Sequence, residues 1–275
     1  MTEREGMAAL LAAERAVEHG ARLVRQGRRQ VSAVIPKGDR DFATAVDLEV
    51  ERTIRDELER AWPGVGFLGE EEPGGLQPSG EQWVLDPIDG TINYAHDSPL
   101  CAISLALVSD GRPVLGIVDL PLLGERYTAL AGSGAACNGA RVSVAPSLRL
   151  EDAIVGVTDF AVGALAEKEN PIHFELLRRL ARRSLRVRAH GSAALDLAWL
   201  ARGRLGASVM LSNLPWDVSA GTLIAREAGA EVYDHDGSPY GPGATFTIAS
   251  GPGVRADLLD LVREAITAAA AGGRA

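Results

Sequence analysis

The sequence predicts an α/β protein of the α+β type, in which sheets and helices stack in layers. Three observations carry that reading. Apolar residues at helical spacing open and close the chain, and tight-turn dipeptides join apolar runs of strand length through its middle. In its second half, helix-like and strand-like segments alternate. Hairpins beside alternating helices exclude a purely parallel wound sheet.

Ala9, Leu10, Ala13, Ala16, Val17 and Leu23 fall near helical spacing with charges between them, which predicts an amphipathic helix over about residues 5–26. Ile35-Pro36-Lys37-Gly38-Asp39-Arg40-Asp41 reads as a polar, mobile loop. A second helix is expected over 45–61, stopped by Trp62-Pro63-Gly64. Short apolar runs at 65–68 and 83–85 each end in acidic residues. Strands at 102–108 and 114–120 are joined by Ser109-Asp110-Gly111, a hairpin signal. A strand at 127–131 follows, then an Asn138-Gly139 turn and a return strand at 141–144. Beyond these, strands are expected at 154–157, 186–189, 206–211, 230–233 and 245–250, with helices at 172–183, 192–202, 217–228 and 254–268. Residues 269–275 are expected to fray.

Composition narrows the function classes. At 275 residues and 46% hydrophobic, the chain can bury a substantial core. Lys plus Arg number 28 against 37 Asp plus Glu, a net charge of -9, which argues against gripping a nucleic-acid backbone. Two cysteines, Cys101 and Cys137, exclude a disulfide framework and suit a reducing cytoplasm. No secretory signal opens the sequence and no apolar run reaches membrane-spanning length, so a cytoplasmic location is expected.

The informative residues are acids placed directly after apolar runs. Glu70 and Glu71 follow Val65-Gly66-Phe67-Leu68; Asp86 and Asp89 follow Trp83-Val84-Leu85; Asp217 precedes an apolar helix face. Hard divalent cations such as Mg²⁺ take oxygen ligands from a few carboxylates and a substrate phosphate. Pro87 holds the backbone between Asp86 and Asp89, so the two acids can share ions while the Ile88 carbonyl ligates as well. Gly90 and Thr91 then open a helical turn whose free N–H groups suit a phosphate, and the Thr91 hydroxyl is placed to orient a water. A lone acid at a strand end is ordinarily a solvated turn; three such sites together favour a metal centre.

The stretch Trp83-Val84-Leu85-Asp86-Pro87-Ile88-Asp89-Gly90-Thr91-Ile92-Asn93-Tyr94-Ala95-His96 resembles the first signature of the inositol-monophosphatase-like, Mg²⁺-dependent, lithium-sensitive phosphatases. Trp216-Asp217-Val218-Ser219-Ala220-Gly221 with Glu227-Ala228-Gly229 resembles the second. Gly69-Glu70-Glu71 and Lys37…Asp41…Thr44-Ala45-Val46-Asp47 are similar to the two upstream motifs. The resemblance implies a five-layered αβαβα sandwich, a homodimer, and one domain over 1–275 with halves at about 1–145 and 146–268. It further implies two or three Mg²⁺ ions. Glu70, Asp86 and the Ile88 carbonyl would hold the first, Asp86, Asp89 and Asp217 the second, and Glu70 a weaker third. Asp47, Glu70 and Thr91 would serve catalysis, and Gly90 and Thr91 the phosphate. Asp89, Ala193, Met210 and Asp217 would lie along the substrate. The implied reaction is hydrolysis of a small phosphate monoester, inositol 1-phosphate by family default.

Two departures stand out. Ser219 replaces a usual Ala, and Met210 stands where inositol monophosphatases carry a Glu that bonds ring hydroxyls. Met offers no such acceptor, at a cost of about 1–3 kcal/mol for a hydroxyl left unpaired. That opens histidinol phosphate, a sugar phosphate or a nucleotide monophosphate as substrates. A metal-binding but non-catalytic regulatory or assembly homologue is the reading from another class.

Other signals read as structural. Asp234-His235-Asp236-Gly237-Ser238 is expected to be a turn, and Gly132-Ser133-Gly134-Ala135-Ala136-Cys137 lacks the helix of a dinucleotide site, with Cys137 a buried thiol. Arg178, Arg179, Arg182 and Arg183, with Arg186 and Arg188 beyond, read as a solvated face. His96, after the phosphate-binding turn, reads equally as a substrate contact or as a loop histidine at the pocket entrance.

Overall fold

The computed structural model describes residues 3–28, 34–38, 41–71, 76–77, 79–145, 148–212, 214–241 and 243–272. The amphipathic stretch forms α1 (Glu3–Gly27), burying Ala9, Ala13, Ala16, Val17, Ala21 and Val24 along one stripe. Small side chains on that stripe let α1 pack closely on α2 (Ala45–Ala61), which contributes Val50, Ile54 and Leu58. Between them, where a mobile loop is expected over 35–41, the described residues form two antiparallel strands, β1 (Val34–Gly38) and β2 (Asp41–Thr44), and 39–40 lie outside the described residues. Pro36 sits in this two-stranded ribbon, where every strand is an edge and a missing N–H is tolerated. Polar composition therefore misled the sequence reading.

A seven-stranded sheet follows, built from β3 (Gly66–Gly69), β4 (Glu81–Asp89), β5 (Ala102–Ser109), β6 (Arg112–Leu120), β7 (Glu125–Leu130), β8 (Gly134–Cys137) and β9 (Ala140–Val142) in sequence order. Only β3 and β4 run parallel. Asp110 and Gly111, and again Asn138 and Gly139, hold positive φ, as tight hairpin turns require. The glycine-rich stretch before Asn138 supplies β8, a strand that periodicity does not reveal. Short α3 (Thr91–Ala95) interrupts the meander after β4.

The chain then forms β10 (Ile154–Val157), α4 (Ala166–Arg183), β11 (Arg186–Ala189), α5 (Ala193–Ala201), β12 (Ala207–Met210), α6 (Pro215–Glu227), β13 (Glu231–Tyr233), β14 (Thr247–Ser250) and α7 (Arg255–Gly272). Its five strands lie in the order β11-β10-β12-β14-β13, parallel around β10 and antiparallel beyond β12. Helix α4 begins before Pro171 rather than after it, and α7 carries order through residue 272 where fraying was expected; 273–275 lie outside the described residues.

Burial explains the stacking. Trp83, Leu85, Ile103, Leu105 and Leu107 face α1 and α2, while Val84, Ala102, Ala106 and Val108 alternate to the opposite face. Against that second face lie α5 and α6, apolar nearly all round because a sheet covers them on both sides. Helices α4 and α7 cover the outer face of the five-stranded sheet through Leu176, Leu180, Leu258 and Val262. The order is α1/α2, seven strands, α5/α6, five strands, α4/α7: the expected αβαβα sandwich. Among the described residues no helix is long and apolar enough to cross a membrane.

Candidate active site

The site lies where β3, β4, α3 and the first turns of α2, α5 and α6 meet. Strand β4 is longer than its apolar run suggested, because buried carboxylates continue it. Pairing with β5 shifts between Asp86↔Ser104 and Asp89↔Ala102, so one extra β4 residue is accommodated there. In a regular strand, residues three apart face opposite ways. The extra residue restores Asp86 and Asp89 to a common side, and Pro87 sits where no ladder N–H is needed.

Asp86, Asp89, Glu70 and Asp217 fall within electrostatic reach of one another. Burial, then Glu70, Asp89 and Asp217, push the Asp86 carboxyl well above the usual range. Burial also lifts Asp89 to about 7, against the bonds it accepts from the Ser192 hydroxyl at 2.7 Å and the Ala194 N–H at 2.6 Å. Asp217, in the first turn of α6, is raised by its crowded setting and by Asp89 and Glu70. Such a cluster favours protonation unless positive charge compensates it.

Part of that charge comes from Lys37. Its Nζ donates to Glu70 Oε1 at 2.8 Å and Glu71 Oε1 at 2.6 Å, joining the β1–β2 ribbon to the end of β3. Glu71, largely through burial, is lifted to about 7 despite that ammonium. Among the described residues, no three His, Cys, Asp or Glu side chains are gathered tightly enough to hold one ion as they stand. Glu70 and Asp86 share a hydrogen bond, while Lys37 occupies a Glu70 oxygen and Ser192 and Ala194 an Asp89 oxygen. The donor set nevertheless fits a hard divalent cation. It is all oxygen, largely buried, rich in negative charge, and includes the Ile88 carbonyl beside Asp86.

Thr44 caps α2, and Asp47, three residues on, completes a capping box by accepting from the Thr44 N–H at 2.9 Å and from its hydroxyl. The other Asp47 oxygen accepts from the Thr91 hydroxyl at 3.1 Å, which also reaches the Ile88 carbonyl at 2.9 Å. Burial raises Asp47 above the ordinary carboxylate range, opposed by these bonds.

Gly90 caps α3 with φ +89°, and a Cβ there would meet the Leu100 carbonyl at 2.9 Å and the Gly191 carbonyl at 3.0 Å. Asn93 ties this turn to the start of α5, donating to the carbonyls of Leu100 (2.8 Å) and His190 (2.6 Å). The Ser104 hydroxyl anchors α6 through the Trp216 carbonyl at 2.9 Å. Sequence reasoning assigned no role to Asn93, Ser104, Ser192 or Lys37. Lys37 and Asn93 stand inside the quoted motifs without an assigned role, and Ser192, ahead of a helix, carries the cue of an N-cap.

Ala193 is partly exposed beside Asp89, to which its N–H donates. Met210 is different: it is 1% exposed and packed in the apolar layer between the sheets, so it presents no surface to a ligand here. Ser219 returns its hydroxyl to the Pro215 carbonyl at 2.5 Å, a local bond within α6. His96 is exposed at the end of α3, and Cys101 and Cys137 are buried thiols. Asp234 and Ser238 close a turn, as expected. Arg178 pairs with Glu175, Arg179 with Glu175 and Glu264, and Arg183 with Asp257, in keeping with a solvated face.

A layered αβαβα fold with an acidic cluster beside a glycine-capped helical turn defines a class of phosphate-handling enzyme, and comparison with known proteins places the chain within it. The model of the inositol monophosphatase family matches residues 6–268, and the chain belongs to that family. It is 40% identical over 237 residues to the inositol-1-monophosphatase ImpA of Mycolicibacterium smegmatis, covering 86% of this chain and 85% of that protein. It is 35% identical over 230 residues to a fructose-1,6-bisphosphatase/inositol-1-monophosphatase of Thermotoga maritima, covering 83% and 85%. A solved IMPase structure from Thermotoga maritima superposes with TM-score 0.85 at 30% identity, covering 98% of this chain and all of that one, 100%. The protein is accordingly an enzyme of the phosphate-monoester hydrolase class.

Proposed function

We propose that the protein is a Mg²⁺-dependent phosphomonoesterase acting on a small phosphorylated alcohol, with inositol 1-phosphate the family's default substrate. The observation that carries this reading is the Asp47–Thr91 hydrogen bond lying beside four mutually interacting carboxylates. Glu70, Asp86, the Ile88 carbonyl, Asp89 and Asp217 are the residues that would hold Mg²⁺. When bound, Mg²⁺ supplies Lewis-acid polarisation of a phosphoryl oxygen and eases deprotonation of water.

The chain's own groups do the rest. The Gly90 and Thr91 N–H groups hold the phosphate at the start of α3, in a turn that the positive φ of Gly90 makes possible. Thr91 gives its proton to Asp47 and offers its hydroxyl lone pairs to a water O–H, so the water oxygen faces the phosphorus. Attack forms the new P–O bond as the ester P–O bond breaks: the water's proton passes to Thr91 as Thr91's own passes to Asp47, the alkoxide leaving on the opposite side takes a proton from solvent to become the alcohol, and Asp47 returns its proton to solvent. Burial of Asp47 keeps its proton affinity high enough to serve as the acceptor. Ser192 and the Ala193 and Ala194 N–H groups fix Asp89.

A second reading of the substrate rests on Met210. Its buried thioether provides no acceptor for a ring hydroxyl, which favours histidinol phosphate, a sugar phosphate or a nucleotide monophosphate. Phosphate release measured across these four substrate classes with Mg²⁺ tests both readings. Release from one or more supports hydrolysis and names the leaving group; release from none would favour the non-catalytic, regulatory role. We further propose that the chain works as one domain and as a homodimer, to be checked by a single unfolding transition and by light scattering.

A further inference from the structure

A second cavity, of about 790 Å³, opens between the start of β6, the outer side of α6 and residues 239–241, 243 and 244, and shares no residue with the acidic cluster. Arg112, Pro113, Ser219, Arg226, Val232 and Tyr240 are among its lining. Half-buried Arg226 donates to the Tyr240 carbonyl at 2.7 Å, with its guanidinium carbon 5.6 Å from the centre of that ring. Burial, together with the nearby Arg112, weakens its hold on a proton.

Among the described residues the other half-buried arginines are matched by acids, Arg28 by Asp97, Arg55 by Glu51, Arg179 by Glu175 and Glu264, and Arg255 by Glu231. Arg126 pairs with Glu18 and Asp119, Arg202 and Arg204 with Glu125, and Arg183 with Asp257. Among the described residues, neither Arg112 nor Arg226 has a carboxylate partner, in a chain whose acids outnumber its bases by 37 to 28. Two like charges facing one cavity repel, and a charge withdrawn from water without a counter-charge is costly. A guanidinium fork matches the oxygen geometry of phosphate and carboxylate alike.

We propose that this cavity is a binding site for an oxyanion, a phosphate or carboxylate group, carried on a small molecule whose body rests against Pro113, Val232 and Tyr240. The anion lies between Arg112 and Arg226 and supplies the charge the protein omits. The site is separate from the hydrolytic centre, so its failure would leave the phosphatase reading intact.

The test is isothermal titration of the full-length protein, stripped of metal with EDTA, against inorganic phosphate and against citrate, at ionic strength fixed with potassium chloride. Without divalent ions the acidic cluster repels both anions, which isolates the cavity. Saturable binding of either anion, weakened at least tenfold in Arg226→Gln and in Arg112→Gln but unchanged in Arg182→Gln, is the expected result. Phosphate binding alone assigns a phosphorylated ligand, and citrate binding alone a carboxylate. Arg112 is exposed, so its variant tests the site even if Arg226→Gln fails to fold. Absence of binding to the unaltered protein, affinity unaffected by Arg112→Gln, or loss in Arg182→Gln instead would overturn the proposal.

Discussion

Replacing Asp89 by Asn separates what the acidic cluster does for stability from what it does for function. Asp89 is buried among Glu70, Asp86 and Asp217, and its carboxyl is lifted from 3.8 to about 7. A group whose folded value exceeds its unfolded value contributes stability at low pH that is lost as pH rises toward the folded value. At ~1.4 kcal/mol per pH unit, ionising Asp89 in the folded metal-free protein costs at most about 4 kcal/mol by pH 8. Asn is neutral at every pH, and its amide oxygen still accepts from the Ser192 hydroxyl and the Ala194 N–H. The variant should therefore be the more stable protein in EDTA at pH 8. With an unfolding entropy near 2.1 cal/mol/K per residue, that gain is worth up to about 7 °C in Tm. At pH 4 the difference should vanish. Mg²⁺ should then raise the Tm of the unaltered protein far more than that of the variant, and phosphate release should fall at least about a hundredfold in the variant. Calorimetric scans at the two pH values, with EDTA and with Mg²⁺, read all of this. An Asp89→Asn protein less stable than the parent at pH 8 in EDTA, or one retaining full turnover, would refute the reasoning.

The other expectations are simpler. Thr91→Val removes the donor to Asp47 and should lower kcat by about 10²–10⁴ with little change in KM, read by steady-state kinetics. Gly90→Ala forces a Cβ against the Leu100 and Gly191 carbonyls at a positive φ; a loss of about 1–3 kcal/mol in urea unfolding and weakened phosphate product inhibition should follow. Lithium should inhibit at millimolar concentration by competing at one cation site, and insensitivity in an assay at half-saturating Mg²⁺ would indicate a more open centre. Met210→Glu should leave turnover of the preferred substrate unimproved, because position 210 faces the apolar layer; a gain in inositol 1-phosphate hydrolysis would show that the strand can turn this side chain outward.

Much of this architecture is legible in the sequence because local rules and burial agree. The Asp110-Gly111 and Asn138-Gly139 turns declare their hairpins, and the apolar stripe of α1 declares its helix. The reading failed where composition and contact disagree. Ile35 to Asp41 looks like loop because Pro and Gly dominate it, yet backbone pairing and the Lys37 bridge to Glu70 and Glu71 make its described residues a ribbon. The acids of β4 look like a strand's end because charge normally marks the surface, whereas here they continue the strand into the interior. Motifs identified Asp47, Glu70, Asp86, Asp89, Thr91 and Asp217. Their long-range supports, Ser192, Asn93 and Ser104, are ordinary polar residues whose partners lie about a hundred positions away in the chain. An N-cap cue at Ser192 and a motif position at Asn93 are local, but nothing local names their distant partners, and nothing local marks Ser104 at all. Met210 is a motif position that lies buried in the apolar layer.

The central claim is that Glu70, Asp86, Asp89 and Asp217 draw together around divalent cations beside the Gly90–Thr91 turn. Anomalous diffraction from crystals soaked in Mn²⁺ tests it most directly. The account predicts one peak bounded by Glu70, Asp86 and the Ile88 carbonyl and another by Asp86, Asp89 and Asp217. Phosphate release supported by Mn²⁺, with no anomalous density among these four acids, would contradict it.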